Sequence, residues 1–197
     1  MDTKFYKIIR PIISIVFKVL YHPKIIGINN IPATGCVVLA GNHTKWLDPI
    51  MLVAITNRQI HFLAKNSLFK GITKPIVKGM GAIPVNRTTH DKNALQEAIN
   101  CLNQQNVVGV FPEGTINYTK ETPTLPFKIG AVKMAQETGA SLVPFVITGK
   151  YKLFSSKIKI EFLPSRKTEK DLDQENEQLR KEITQKLEEK NECNKSN

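Results

Sequence analysis

Val107-Val108-Gly109-Val110-Phe111-Pro112-Glu113-Gly114-Thr115 decides how this chain folds. Its first five residues are a continuous apolar run, the mark of a strand buried on both faces, and such strands belong to parallel sheets covered by helices. Pro112 and Gly114 break the run, so Glu113 is delivered at the strand's carboxyl end. The flanks agree. Upstream, Asp91–Gln104 places Ala94, Leu95, Ala98, Ile99 and Leu102 on one helical face, with Asp91 close to its start. Downstream, residues 114–126 carry prolines and threonines and read as a loop. Lys128–Thr138 then reads as a helix ended by Gly139, and Ser141–Thr148 as a strand.

The alternation continues towards both ends. Lys24–Ile28 and Cys36–Gly41 are predicted strands. A helix follows to about Ile55, with Asp48 as N-cap and Pro49 at its first position. Ile60–Lys65 is a strand, Leu68–Met80 contains short helical pieces, and Ala82–Asn86 and Lys157–Phe162 complete the strands. From Asp171 a charged helix carries Leu172, Leu179, Ile183 and Leu187 along one side. The expected fold class is α/β, a mixed and largely parallel sheet flanked by helices, with an N-terminal amphipathic helix. Residues 1–22 form that helix, 23–165 the body of the domain, and 166–197 a charged C-terminal helix and tail.

The chain of 197 residues suits one domain with a sizeable core. Its net charge of +11 is unevenly placed. Residues 165–197 hold eight basic and nine acidic side chains, so residues 1–164 hold the remaining twenty and eight. A body this basic favours nucleic acid, anionic lipid or a phosphorylated substrate. Clustered cations with interleaved aromatics, the platform expected of a nucleic-acid binder, are not visible, so no nucleic-acid partner is expected. Cys36, Cys101 and Cys193 are few and widely spaced, which fits a reducing compartment without disulfides. The four histidines lack ligand spacing, so no metal is expected.

The uncharged run Pro11–Phe17 is far too short to span a bilayer, and Lys18 follows it rather than a cleavage site. On a helical wheel Lys4, Lys7, Arg10, Ser14 and Lys18 share one arc of about 120°, and apolar residues cover the rest. That pattern suits a helix lying in the membrane interface; a terminal helix packed on the core is the alternative. Pro11 would kink or restart it.

Chemistry gathers at strand ends, where open α/β sheets place their ligands. His43 in Asn42-His43-Thr44-Lys45-Trp46-Leu47-Asp48 lies just past one strand, Arg87 past another and Glu113 past a third. A histidine can take a hydroxyl proton, and a carboxylate on its other nitrogen fixes the tautomer. Five residues apart, His43 and Asp48 do not share a helix face. They can meet only if His43 sits in the turn before the helix. There is no GxSxG elbow and no GxxxxGK[ST] loop, so serine hydrolysis and nucleotide-phosphate binding lack their expected residues.

Four ordered blocks resemble the glycerolipid acyltransferases, most closely the 1-acylglycerol-3-phosphate acyltransferase group. They are Asn42-His43-x4-Asp48, Gly81-x-Ile83-Pro84-Val85-Asn86-Arg87, Phe111-Pro112-Glu113-Gly114-Thr115 and Val143-Pro144-Phe145-Val146, within roughly residues 24–165. The resemblance implies that His43 is the general base, that Asp48 orients it, and that the acceptor hydroxyl attacks a thioester directly. It implies that Arg87, Glu113, Gly114 and Thr115 shape the acceptor site, with Arg87 on the phosphate and Glu113 near the glycerol or an organising cation. Pro144 falls in the block linked to the acyl donor. The implied acceptor is lysophosphatidic acid and the product phosphatidic acid, with acyl carrier protein or coenzyme A thioester as co-substrate and no resident cofactor. The expected place of work is the cytoplasmic face of the cell membrane, bound peripherally or monotopically.

Two departures touch the acceptor. Ile116-Asn117 follow Thr115 where a basic residue is common, which shifts phosphate recognition onto Arg87 with Lys65, Lys120 and Lys128 as candidates. Lys45 stands where a small polar residue is common. Another lysolipid is therefore the alternative acceptor.

Overall fold

The computed structural model describes residues 4–86, 91–118, 121–169 and 171–195, without the side chains of 191–195. Along these the chain runs α1 (Lys4–Tyr21), β1 (Lys24–Ile26), β2 (Val37–Gly41), α2 (Asp48–Ile55) and β3 (Ile60–Lys65). It continues through α3 (Lys74–Gly79), β4 (Ile83–Val85), α4 (Lys92–Asn103), β5 (Val107–Val110) and α5 (Gly130–Thr138). It closes with β6 (Ser141–Gly149), β7 (Ile158–Phe162) and α6 (Leu172–Lys195). The strands form one sheet in the order β1-β7-β6-β2-β5-β3-β4. All neighbours are parallel except β6 and β7, so the fold class is the mixed, largely parallel α/β sheet expected.

The run that opened the reading lies between β2 and β3, with Val107 and Val108 essentially sealed from solvent. One face of the sheet is covered by α1 and α2, the other by α4, α5 and α6. Leu179, Ile183 and Leu187 of α6 pack into that second layer as their spacing predicts. Asp91 caps α4, its Oδ1 accepting from Ala94 N at 3.0 Å. The helix expected from Lys128 begins two residues later, at Gly130, and the Lys128 N–H before it donates to the Pro112 carbonyl at 2.9 Å.

Helix α1 packs on α2, and the orientation is the finding. Ser14 Oγ donates to the Ala54 carbonyl at 2.7 Å, and the Arg10 guanidinium donates to the Thr56 carbonyl at 2.5 Å and to Asn57 Oδ1 at 3.0 Å. The end of α2 offers carbonyls that no further helical turn satisfies, and these two side chains satisfy them. Two of the five residues of the polar arc therefore face the protein. Outside stand Ile8 (70% exposed), Ile15 (66%), Val19, Ile12, Val16 and Phe5, bordered by Lys4, Lys7 and Lys18. The helix packs on the core through Tyr6, Ser14 and Phe17, as the second alternative has it, and leaves its apolar face bare. Among the described residues no helix is long and apolar enough to cross a membrane.

Candidate active site

Strands β2, β5, β3 and β4 run parallel side by side, so their carboxyl ends open on one edge. His43 follows β2 by two residues and Glu113 follows β5 by three. Lys65 ends β3 and is exposed. Arg87, and Lys120 in the loop after β5, lie outside the described residues.

His43 sits in the turn before α2, which is the one place from which it can reach Asp48. Its Nδ1 lies 2.8 Å from Asp48 Oδ2. The carboxylate is completely buried and surrounded by donors. Oδ2 also accepts from the backbone N–H of Thr44 at 2.6 Å and Lys45 at 2.8 Å. Oδ1 accepts from Thr44 Oγ1 at 3.0 Å and Tyr151 Oη at 2.6 Å. Asp48 was expected as an N-cap, and here the structure differs. It is the first residue of α2, and its side chain turns backward onto the 43–45 turn instead of forward onto its own helix. With every neighbour donating, Asp48 can only accept, so Nδ1 of His43 carries the hydrogen and Nε2 keeps its lone pair.

Phe111 stacks on the imidazole at 4.0 Å between ring centroids and 16° between planes, fixing the ring's tilt. Asn42 exchanges two bonds with the Ile147 backbone of β6, at 2.8 and 2.9 Å, and anchors the turn from behind. Asn117 N donates to the His43 carbonyl at 3.1 Å, so the segment that follows Thr115 leans on His43.

Glu113 is the main departure from expectation. Its carboxylate is engaged by two backbone amides. Oε1 accepts from His43 N at 3.0 Å and Oε2 from Leu125 N at 2.9 Å, and the residue is 5% exposed. Burial raises its pKa above the ordinary carboxylate range, against the pull of the Leu125 and His43 amides. It staples the loop before α5 to the base. Gly114 has φ +70°, and a Cβ there would lie 3.0 Å from Lys128 Cε, so glycine lets the Lys128 side chain lie across the turn. Thr115 is exposed on the same loop. Pro144 is not brought to this edge. It is buried within β6 opposite Ala40, three residues short of His43.

Tyr151 and Phe111 are contacts that the sequence reading missed as site residues. Phe111 lies in the block itself and could have been suspected as the last apolar residue of the run. No local signal points to Tyr151.

Among the described residues no group of three His, Cys, Asp or Glu side chains is arranged to hold a metal. An apolar cleft of about 320 Å³ runs between α1 and the start of α2, lined by Ile12, Val16, Phe17, Leu20, Leu47 and Ile50 among others. Leu47 is the residue before Asp48.

A buried carboxylate hydrogen-bonded to a histidine at the open edge of a parallel sheet is an arrangement able to accept a proton from a bound hydroxyl. The acyltransferase family model matches residues 22–148, and the chain belongs to that family and is an enzyme of its class. It is 32% identical over 146 residues to 1-acyl-sn-glycerol-3-phosphate acyltransferase of Bacillus subtilis, covering 73% of this chain and 71% of the relative. It is 35% identical over 124 residues to the enzyme of that name from Borreliella burgdorferi, covering 61% of this chain and 49% of that one. The crystal structure of the 1-acyl-sn-glycerophosphate acyltransferase PlsC from Thermotoga maritima superposes with a TM-score of 0.74 at 20% identity. That match covers 93% of this chain and 78% of the other, and it shares the fold.

Proposed function

We propose that this enzyme is a 1-acylglycerol-3-phosphate acyltransferase, moving a fatty acyl group from an acyl carrier protein or coenzyme A thioester to the free hydroxyl of lysophosphatidic acid. The observation that carries the reading is the His43–Asp48 pair, a base whose Nδ1 is held at 2.8 Å by a buried carboxylate with donors on every side. Nε2 takes the hydroxyl proton as the acceptor oxygen bonds to the thioester carbonyl carbon. The C–S bond breaks as the tetrahedral centre collapses, and the proton on Nε2 passes to the leaving thiolate. Asp48 stabilises the imidazolium between these steps. The product is phosphatidic acid, and no acyl-enzyme forms.

Acceptor phosphate would be met by cations at the same edge, Lys65 and Lys128, with Arg87 implied by family resemblance. Glu113, Gly114 and Thr115 would serve the loop that frames them. The apolar cleft beside Leu47 suits an acyl chain approaching the pair. The outward apolar face of α1, with lysines on its border, suits peripheral seating on an anionic membrane. The segment after Thr115 favours a second acceptor reading, since the neutral pair Ile116-Asn117 follows it where a basic residue is common, and Asn117 N bonds the His43 carbonyl. Purified protein given lysophosphatidate, other lysophospholipids and lyso-aminolipids separates the two by rate of thiol release. His43→Ala lowers turnover by about two to four orders of magnitude with the fold retained; near-normal turnover would remove His43 as the base.

A further inference from the structure

Asp48 has one partner that belongs neither to its own turn nor to any of the four sequence blocks. Tyr151 reaches it from the β6–β7 connection, 103 residues away, and donates to Oδ1 at 2.6 Å. The turn carrying it is built for a fixed placement. Gly149 has φ +89°, and a Cβ there would lie 1.8 Å from the Lys157 carbonyl, so the strands can close together only with glycine. Lys150 N bonds the Lys157 carbonyl at 3.2 Å, and Phe154 N bonds the Leu20 carbonyl of α1 at 2.5 Å. The Tyr151 ring then stands edge-on to two rings of α1, Phe17 at 6.3 Å and Tyr21 at 5.6 Å. Burial and the adjacent Asp48 charge both push its phenol pKa up, so the group remains a donor at working pH.

We propose that Tyr151 is a positioning residue for the catalytic pair, holding the Asp48 carboxylate in the rotamer that orients His43 and tying that rotamer to the seat of α1. Without the phenol, Oδ1 keeps only Thr44 Oγ1, a hydroxyl that can rotate away. The carboxylate, still held at Oδ2 by the His43 ring and the Thr44 and Lys45 amides, then gains play about its χ2 on the Oδ1 side, and the line of the imidazole toward the acceptor loosens. The inference rests on His43 acting as base, and it adds a third member, packed against the N-terminal helix.

Three titratable groups from outside the 43–48 turn bear on the pair, besides the Phe111 ring stacked on the imidazole. They are Tyr151 from the β6–β7 connection, Glu113 beyond β5 through the His43 N–H, and Tyr21 of α1 behind Tyr151. Tyr151→Phe keeps the ring and its packing and removes the one donor. Expected is a loss of about ten- to one-hundred-fold in kcat, the usual effect of deleting an orienting partner, with the acceptor KM within about twofold. The acidic limb of kcat/KM moves to higher pH by about half a unit to one unit, because a carboxylate with one donor fewer holds the imidazolium more tightly. In an Asp48→Asn background the same change costs less than about threefold, since Tyr151 acts through Asp48. Unchanged kcat and pH profile in Tyr151→Phe, or full additivity with Asp48→Asn, would overturn the proposal while leaving His43 as base. Near-normal turnover of His43→Ala is the separate result that would overturn the base assignment beneath it.

Discussion

Replacing Asp48 by asparagine separates the charge of the carboxylate from its hydrogen bonds, and the surroundings dictate how the amide must sit. Oδ2 faces three N–H donors, the His43 ring and the amides of Thr44 and Lys45, so the amide oxygen must take that position. The NH2 then falls where Oδ1 was, opposite Thr44 Oγ1 and Tyr151 Oη, hydroxyls that can turn and accept. The His43 tautomer survives, which is not generally true of such a change, and what is lost is the negative charge beside the imidazolium. At an effective dielectric of about 20, a unit charge about 4 Å away is worth about 4 kcal/mol. At about 1.4 kcal/mol per decade that is about three decades of rate. We therefore expect kcat to fall about 10²- to 10³-fold in Asp48→Asn, followed as free thiol released from an acyl-coenzyme A thioester with lysophosphatidate present. Stability should fall by only about 1–3 kcal/mol in urea, because charge-assisted bonds become neutral ones without being broken. Asp48→Ala tests something else, since it strands the buried Thr44 and Lys45 amides and threatens the fold. A folded Asp48→Asn protein that kept more than a third of wild-type kcat would refute the reasoning.

Two further outcomes follow from other contacts. Glu113 is raised above its ordinary value of 4.5, so in that window the folded state keeps a proton that the unfolded chain releases. Its contribution to stability is full below the ordinary value and is lost as pH rises through the raised one. Glu113→Gln removes this titration, so urea stability should lose that part of its pH slope. It should also fall by about 1–3 kcal/mol, as the amide NH2 must oppose the N–H of either His43 or Leu125; an unchanged slope would exclude Glu113 as its source. On α1, Ile8→Asp combined with Ile15→Asp changes two exposed positions and should move thermal stability little. Each isoleucine forgoes about 1.5–3 kcal/mol of burial, so co-sedimentation with anionic vesicles should weaken by about two orders of magnitude or more; retained binding would count against α1 as the membrane contact.

The His43–Asp48 contact was legible because its spacing fits only one geometry, a histidine in the turn and an aspartate opening the helix, and because three predicted strand ends pointed to the same edge. The direction of side chains was not. Nothing in Phe111-Pro112-Glu113-Gly114-Thr115 tells whether Glu113 looks outward or back to an amide twelve residues on, and the structure turns it back. Periodicity drew the polar arc of α1 correctly but could not say which side the protein would take. That depended on unsatisfied carbonyls at the end of α2, a feature of tertiary placement. Tyr151 was beyond reach for the same reason, since its partner follows β2, beside β6 in the sheet but 103 residues away in sequence, and its own neighbours, Lys150 and Lys152, describe an ordinary solvated turn.

The two halves of the proposed function meet in α2. This helix has eight residues, about 12 Å from end to end. Asp48 opens it, and Ala54 and Thr56 at its other end hold Ser14 and Arg10 of α1. At the opening end, Phe17 and Tyr21 close over Tyr151, which holds Asp48. Helix α1 therefore contacts α2 at both ends, and its bare apolar face stands one helix diameter, about 10 Å, beyond. On the membrane reading, a lysolipid resting against that face needs to lift only its glycerol to the strand-end edge, while its chain stays among Ile12, Val16 and Leu20 at the mouth of the cleft. A soluble acceptor would gain nothing from such an arrangement. An acceptor that never fully leaves the bilayer accounts for a small domain that holds the apolar face of α1 outward, rimmed by lysines, and turns only Arg10 and Ser14 of its polar arc inward.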